Sequence, residues 1–361
     1  MRPASLLVVW LAAFVLAPCG RAAAAAPAAD PTGTAESAPA SPSAVAGDTA
    51  ARALRPQPAA TDTTRLPLSF EPGEAFGVGE TGPGRLVLPG GVATDAFGRV
   101  YVSDAATHRL LRWNADGTRR QEAGSLGSAP NQFRRPGAVA RLGSLGVAVL
   151  DVENRRVVTY DLELRLLGVL AGFEDPDLEA SIGPVTPIGL AADRGGAVYV
   201  ADADGDRVLA FDFSGRFLRA IGGHGPGEGW LRGLSAITVA PQGVLMTADR
   251  PHERGPARLQ WMDAGGRVVR LAWVPDPAAS SSATKSGALA LAVDDAGRVA
   301  IADEGAGTLA LLSPGGALLA RTSGLARPGA LAFAPDGTLL VAERGAARVR
   351  RFAIVTTATG K

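Results

Sequence analysis

An acidic residue followed five positions later by an arginine recurs along this chain, each time at the end of a short apolar run. Asp104 and Arg109 hold these positions in VYVSDAATHRLLRW (100–113), Asp151 and Arg156 in VAVLDVENRRVVTY (147–160), and Asp202 and Arg207 in VYVADADGDRVLAF (198–211). Glu343 and Arg348 hold them in LLVAERGAARVRRF (339–352). Two copies are degenerate: Thr308 stands in the arginine position after Asp303, and Asp249 reaches Arg258 only across a four-residue insertion. Fifteen residues before each acid stands Pro89, Pro136, Pro187, Leu234, Ala288 or Pro328, and six before it stands Gly98, Gly196, Gly243, Gly297 or Gly337, with Leu145 the exception in the second copy. The acids are spaced 47, 51, 47, 54 and 40 residues apart. Six copies of a unit this long constrain the fold more than any single motif, because one unit cannot bury its own apolar surface and must stack on its neighbours.

Each unit reads as four short strands. In the third copy they are GLAA, AVYVA, RVLAFD and FLRAI, separated by DRGG, DADGD and FSGR. Runs of β-branched, aromatic and aliphatic residues bounded by Gly and Asp are strand and turn signals. No sustained helical period appears in the repeat region. The expected fold class is therefore all-β: a six-bladed β-propeller of four-stranded antiparallel blades, whose ring protects its sheet edges. The sixth unit has three evident strands in 329–354. Residues 65–77, RLPLSFEPGEAFG, are predicted to supply its outer strand, with Pro67 and Pro72 tolerated at an edge.

The pattern apolar-x-Asp-x-x-x-x-Arg-apolar-x-x-aromatic, preceded by Pro-x-Gly-apolar-Ala-x-Asp-x-x-Gly, resembles the NHL-repeat family of six-bladed propellers. PGGVATDAFGRVYVSDAATHRLLRW (89–113) and PIGLAADRGGAVYVADADGDRVLAF (187–211) carry it best, and the resemblance covers about residues 65–356. It implies one propeller over 65–361 and an exported bacterial NHL-repeat protein. It also implies that the turns between second and third strands share a face with the segments joining successive blades. Similar propellers include a peptide-amidating lyase with channel histidines around zinc, calcium-dependent lactonases, and RNA binders with a basic face.

Arg2 followed by LLVVWLAAFVLA (6–17) and an alanine-rich stretch reads as a signal peptide over 1–26, with Ala-x-Ala cleavage signals at 22–24 and 23–25. The twelve-residue apolar run is short for a span, and no later run reaches eighteen, so no transmembrane segment is expected in the mature chain. Cys19, the single cysteine, lies in LAPC, which resembles a lipobox and makes lipid attachment there an alternative to simple cleavage. Residues 27–64, rich in Ala, Pro, Ser and Thr, read as a disordered linker. The expected location is periplasmic, cell-surface or extracellular. The formal net charge of +1 argues against dedicated nucleic-acid binding.

Asp104, Asp151, Asp202, Asp249, Asp303 and Glu343 are read as structural acids that accept backbone N–H groups at a strand end. Asp202, Asp204 and Asp206 alternate as calcium ligands do, but a calcium loop counted from Asp202 needs Gly where Arg207 stands and Glu where Phe213 stands. GVGETG (77–82) matches a dinucleotide fingerprint but is followed by Pro83 and Gly84 and no helical pattern, so it reads as an interblade loop. His108, His224 and His252 are expected on one face, with only His224 and His252 near enough to share zinc. The first strands, GGVAT, GAVAR, IGLAA, SAITV, ALALAV and GALAFA, contain no His, Asp or Glu, which disfavours a channel metal. The Arg pairs at 119–120, 134–135, 155–156 and 350–351 are scattered and balanced by acids. Phe133 and Trp230 fall in comparable loops before the next blade.

These observations predict a non-catalytic binding scaffold, monomeric and without cofactor, that presents propeller loops to a protein, peptide or glycan. The candidate partner-binding residues are Arg134, Arg135, His224, Trp230, Arg232 and His252. A metal-dependent propeller enzyme, using calcium or zinc as an amidating lyase or lactonase does, is the alternative.

Overall fold

A computed structural model describes residues 66–78, 84–250, 256–274 and 287–357. The chain divides into two units, Met1–Gln57 and Pro58–Lys361, and every described residue belongs to the second. The expected leader and linker, Cys19, residues 79–83 of the glycine-rich stretch, and His252 lie outside the described residues.

Each repeat folds as a four-stranded antiparallel meander. Blade one comprises Pro89–Thr94, Val100–Asp104, Arg109–Trp113 and Arg119–Ala123; blade three comprises Pro187–Ala192, Val198–Asp202, Arg207–Phe211 and Phe217–Gly222. Five sheets are sequential in the chain. The sixth orders Leu68–Phe76, Arg348–Thr356, Leu339–Glu343 and Pro328–Phe333, so the N-terminal strand completes the last blade, as the sequence predicts. It pairs antiparallel from Leu68↔Thr356 to Phe76↔Val349, with a bulge between Pro72 and Ala75 that accommodates the proline on an edge. Each first strand packs beside the next, and that of blade six packs beside that of blade one, which closes a six-bladed ring.

Side chains alternate across each blade, so both faces of the inner strands are buried against neighbouring blades. The result is six interblade cores. Between blades two and three, Leu150, Val157, Phe173, Val200, Leu209 and Phe211 interlock. Leu86, Val102, Trp113, Leu340 and Val349 do the same across the closure of blades six and one.

The recurring glycine six residues before each acid has a backbone cause. Gly98, Gly196, Gly243, Gly297 and Gly337 turn the first strand into the second at φ between 74° and 88°, a left-handed region costly for residues with Cβ. Blade two makes this turn with Gly143 at φ 51° instead, so Leu145 escapes the requirement. One element departs from expectation. Pro176–Ile182, after blade two, forms a seven-residue helix. Asp175 caps it through Asp177 and Leu178 backbone N–H groups, with proline in the first turn. Two turns are too short for a helical period to show in sequence.

Candidate functional site on the upper face and channel

The lead-in segments between blades and the turns from second to third strand form one face, here the upper face. The other turns form the lower face. The repeat acids lie under the upper face, and five of the six are fully buried. Each accepts a backbone N–H from the segment leading into its own blade: Asp104 from Val87 and Leu88, Asp151 from Arg134, Asp202 from Thr186, Asp249 from Arg232, Asp303 from Gly287 and Glu343 from Ala326, at 2.8–3.3 Å. The acid therefore pins the lead-in onto the turn.

The arginine completes a latch. Arg156 pairs with Asp151 at 2.9 Å and donates to the carbonyls of Ser128, Ala129 and Gln132. Arg207 pairs with Asp202 at 2.8 Å. Arg258, 2% exposed, holds Asp249 and the carbonyls of Pro226, Gly227 and Trp230. Burial pushes the carboxyl groups of Asp151 and Asp249 above their ordinary range, against the pull of Asn154 and Arg258 respectively. Arg109 departs from the pattern, pairing with Glu122 instead.

Asp202, Asp204 and Asp206 do not converge. Asp202 is committed to Thr186 N–H and Arg207, Asp204 accepts the Thr186 hydroxyl at 2.6 Å, and Asp206 accepts Leu234 N–H at 2.9 Å. Among the described residues no group of three or more His, Cys, Asp or Glu is arranged to hold a metal ion.

Asp206 has a role that the sequence did not reveal. It occupies a left-handed position, four residues after the repeat acid, shared with His108, Arg155, Gly307 and Ala347. From there it reaches into blade four, and His108 does the equivalent by accepting Arg135 N–H at Nδ1, 3.2 Å. No residue type recurs at this position, so the sequence carried no signal for it. The second oxygen of Asp206 accepts Nδ1–H of His224 at 2.7 Å. That imidazole is exposed, and its other nitrogen has no partner among the described residues.

The candidate partner residues separate into two groups. Arg134 and Arg135 lead into blade two; His224, Trp230 and Arg232 lead into blade four. The two loops share a fold, each closed by a parallel bridge, Leu126↔Phe133 and His224↔Leu231. This register aligns Phe133 with Leu231, both fully buried, and Gln132 with Trp230, which is 54% exposed over the glycines 223–227. Phe133 is thus core, and only Trp230 is available to a partner. Gln260 fixes the loop further, donating to the Trp230 carbonyl and accepting Gly229 N–H. The guanidinium groups of Arg134 and Arg232 have no hydrogen bond or ion pair among the described residues.

The first strands enclose a cavity of about 610 Å³ along the propeller axis. Its wall is Gly, Ala, Val, Leu and Ile for most of its length, with no carboxylate or imidazole. At its upper mouth the residue before each first strand and the residue after each repeat acid are joined by a backbone hydrogen bond. The six pairs are Leu88/Ala105, Arg135/Val152, Thr186/Ala203, Gly233/Arg250, Ala288/Glu304 and Arg327/Arg344. Glu304 bridges Arg327 at 2.8 Å and Arg344 at 3.0 Å, and Arg250 pairs with Asp303. Arg135 lines the mouth and, like Arg134, has an unpaired guanidinium among the described residues.

No known protein family and no curated protein matches the sequence. Solved structures do match the fold. A streptogramin B lyase aligns at TM-score 0.53 and 11% identity, covering 79% of this chain and 98% of its own. A gluconolactonase from Xanthomonas campestris aligns at 0.53 and 14%, covering 75% and 87%. The calcium-binding protein regucalcin from Agrobacterium tumefaciens aligns at 0.53 and 15%, covering 81% and 97%. At these identities the likeness establishes the six-bladed propeller and nothing of the chemistry.

Proposed function

We propose that this propeller is a non-catalytic binding protein of the NHL-repeat type, exported to the cell envelope or beyond, that presents its upper face to a protein, peptide or glycan. Trp230 carries the reading. It is a half-exposed aromatic on a loop whose carbonyls are tied down by Arg258 and Gln260, beside Arg232 with an uncommitted guanidinium. An anchor already held in place loses little entropy on binding, and tryptophan and arginine dominate interface energetics. His224 borders the same loop. Cys19 is the lipid-attachment point if the lipobox is used.

Screening the purified protein against glycan and peptide arrays tests this. Ligands found with the parent should be lost with Trp230→Ala and weakened with Arg232→Ala. Retention of every ligand by both variants overturns the assignment.

A second reading rests on His224. A buried carboxylate orienting an exposed imidazole is the arrangement of a general base, and lyase and lactonase propellers share the fold. Metal analysis and turnover of lactone substrates by the parent, lost with His224→Ala, would favour it over the scaffold.

A further inference from the structure

We propose that the lower face docks onto a lipid surface, with the turn tips of blades one to three set into the interfacial layer and the upper face turned away from it. This goes beyond the loop-face reading, because it uses the opposite face and does not involve Trp230.

The most exposed large apolar side chains among the described residues are Phe213 at 76%, Leu145 at 73% and Phe97 at 72%. All three stand at lower-face turns, one in each of blades one, two and three. Phe97 lies between the first and second strands of blade one, Leu145 in the same turn of blade two, and Phe213 between the third and fourth strands of blade three. Single exposed apolar residues are ordinary, but three tips gathered on one face of a disc mark a contact surface. Blades four to six carry Gln242, Ala296 and Asp336 where blade one has Phe97. Blades four and five carry Ala264 and Pro314 where blade three has Phe213. The apolar tips therefore occupy one half of the face.

The tips are held out on fixed turns. Asp95 accepts the Phe97 N–H at 2.9 Å, and the Arg99 guanidinium stacks on the Phe97 ring at 5.2 Å. Asp212 accepts the Ser214 N–H at 2.9 Å beside Phe213, and the Leu145 N–H donates to the Leu142 carbonyl at 2.9 Å. The turns also brace one another. Arg99 of blade one pairs with Glu163 of blade two at 2.8 Å, and a Cβ at Gly143 of blade two would lie 3.2 Å from the Arg194 carbonyl of blade three. Separate tips on one face suit a planar, yielding apolar medium, whereas a protein partner needs one continuous complementary patch.

Charge points the same way. Arg165, Arg194 and Arg216 project largely exposed from these blades. Their pairs with Asp161, Asp295 and Asp212, at 4.0, 2.9 and 3.3 Å, lie in water and hold them weakly. Asp95, Asp161, Asp193 and Asp212 are spent on N–H groups of their own turns. Guanidinium groups among apolar tips can reach lipid phosphates while the tips enter the acyl boundary.

The chain also enters the propeller at this face. Leu68 pairs with Thr356 at the lower end of the closing sheet, and Phe76 with Val349 at its upper end. The sequence preceding residue 66, with its twelve-residue apolar run and Cys19, therefore joins at the lower edge of blade six, next to Phe97 on blade one.

A fluorophore on a single cysteine tests the proposal in the full chain. In a Cys19→Ser background, nitrobenzoxadiazole is attached through Leu145→Cys on the lower face or Leu126→Cys on the upper. With vesicles of mixed phosphatidylcholine and phosphatidylglycerol, emission of the lower probe should brighten and shift to the blue, and that of the upper probe should not. Phe97→Ser with Phe213→Ser should require about tenfold more lipid for the same shift. These side chains are exposed, so the variant should keep the parent's circular dichroism spectrum. Arg165→Gln with Arg216→Gln should require about fivefold more of the mixed vesicles and match the parent on phosphatidylcholine alone. No shift of the lower probe, an equal shift of the upper one, or indifference to either double variant overturns the proposal. A lower-probe shift without lipid that grows with protein concentration would make a second copy the occupant and also overturn it. Trp230→Ala should leave the lipid response unchanged. Loss of array ligands alone in that variant supports the loop-face reading, and loss of the lipid response there would overturn the lower-face assignment.

Discussion

Blades four and five carry the same repeat acid and solve its burial differently. In blade four, Asp249 lies fully buried against Arg258 on the neighbouring strand, and Arg258 spends its remaining donors on three carbonyls of the lead-in loop. In blade five the arginine is Thr308, which lacks any charge to offer. Asp303 is less deeply buried there, caps its own turn through Gly305 and Ala306 N–H groups, and takes Arg250 from blade four as its counter-ion. A latch internal to a blade has become a bridge between blades. The repeat therefore demands a compensated acid, not a particular arginine: Asp104, equally buried, is held by backbone N–H groups alone while Arg109 pairs with Glu122.

The largest expected effect is on the internal latch. Arg258→Ala should destabilise the fold by about 3–5 kcal/mol, the cost of an uncompensated buried charge, measured by urea unfolding. A loss below about 1 kcal/mol would show that the latch is dispensable. Removing the bridge should matter less. Arg250→Ala should cost about 1.5 kcal/mol, because it removes one charge-assisted contact from an acid that keeps its backbone donors. Equal losses in the two variants would erase the distinction between the blades.

The third test uses pH. Burial holds the Asp249 carboxyl above its unfolded range despite Arg258. The folded chain therefore binds this proton more tightly than the unfolded chain. The stability it contributes is fully present below the unfolded value and is lost as pH rises through the folded one. Asp249→Asn, which cannot titrate, should therefore compare progressively better with the parent as pH is raised from the acid range towards neutral. A gap that widens on raising pH would reverse the sign. The smallest effect is the most diagnostic. Thr308→Arg, restoring the repeat residue, should alter stability by about 0–1 kcal/mol alone. Combined with Arg250→Ala it should remove most of that variant's penalty, since Asp303 then has a partner on its own sheet. Strict additivity in this double-mutant cycle would mean that the two arginines do not compete for one acid.

Most of the propeller was legible in the sequence because its information is local and repeated. The turn glycines, the proline or aliphatic residue that opens each blade, and the acid with its arginine recur at fixed offsets, and each reports a backbone requirement. Closure by residues 65–77 was also legible, from the missing strand of the last unit. Asp206 was read as a feature of one copy because aspartate there is unlike His108, Arg155, Gly307 and Ala347. Only the left-handed backbone they share shows that the position is common, and only the folded ring shows that Asp206 and His108 reach into the next blade. Phe133 and Trp230 looked alike as loop aromatics; one residue of register separates a core side chain from an exposed one.

By itself the sequence determined the number of blades, their four-strand plan, the buried acids and the absence of acids and histidines from the innermost strands. Those follow from period and residue type. The mouth of the channel was decided by the tertiary structure alone. Arg135, Glu304, Arg327 and Arg344 are scattered over more than two hundred residues and come from three different blades. They become a single charged rim only because ring closure brings the start of every first strand, and the turn pinned to it, around one axis.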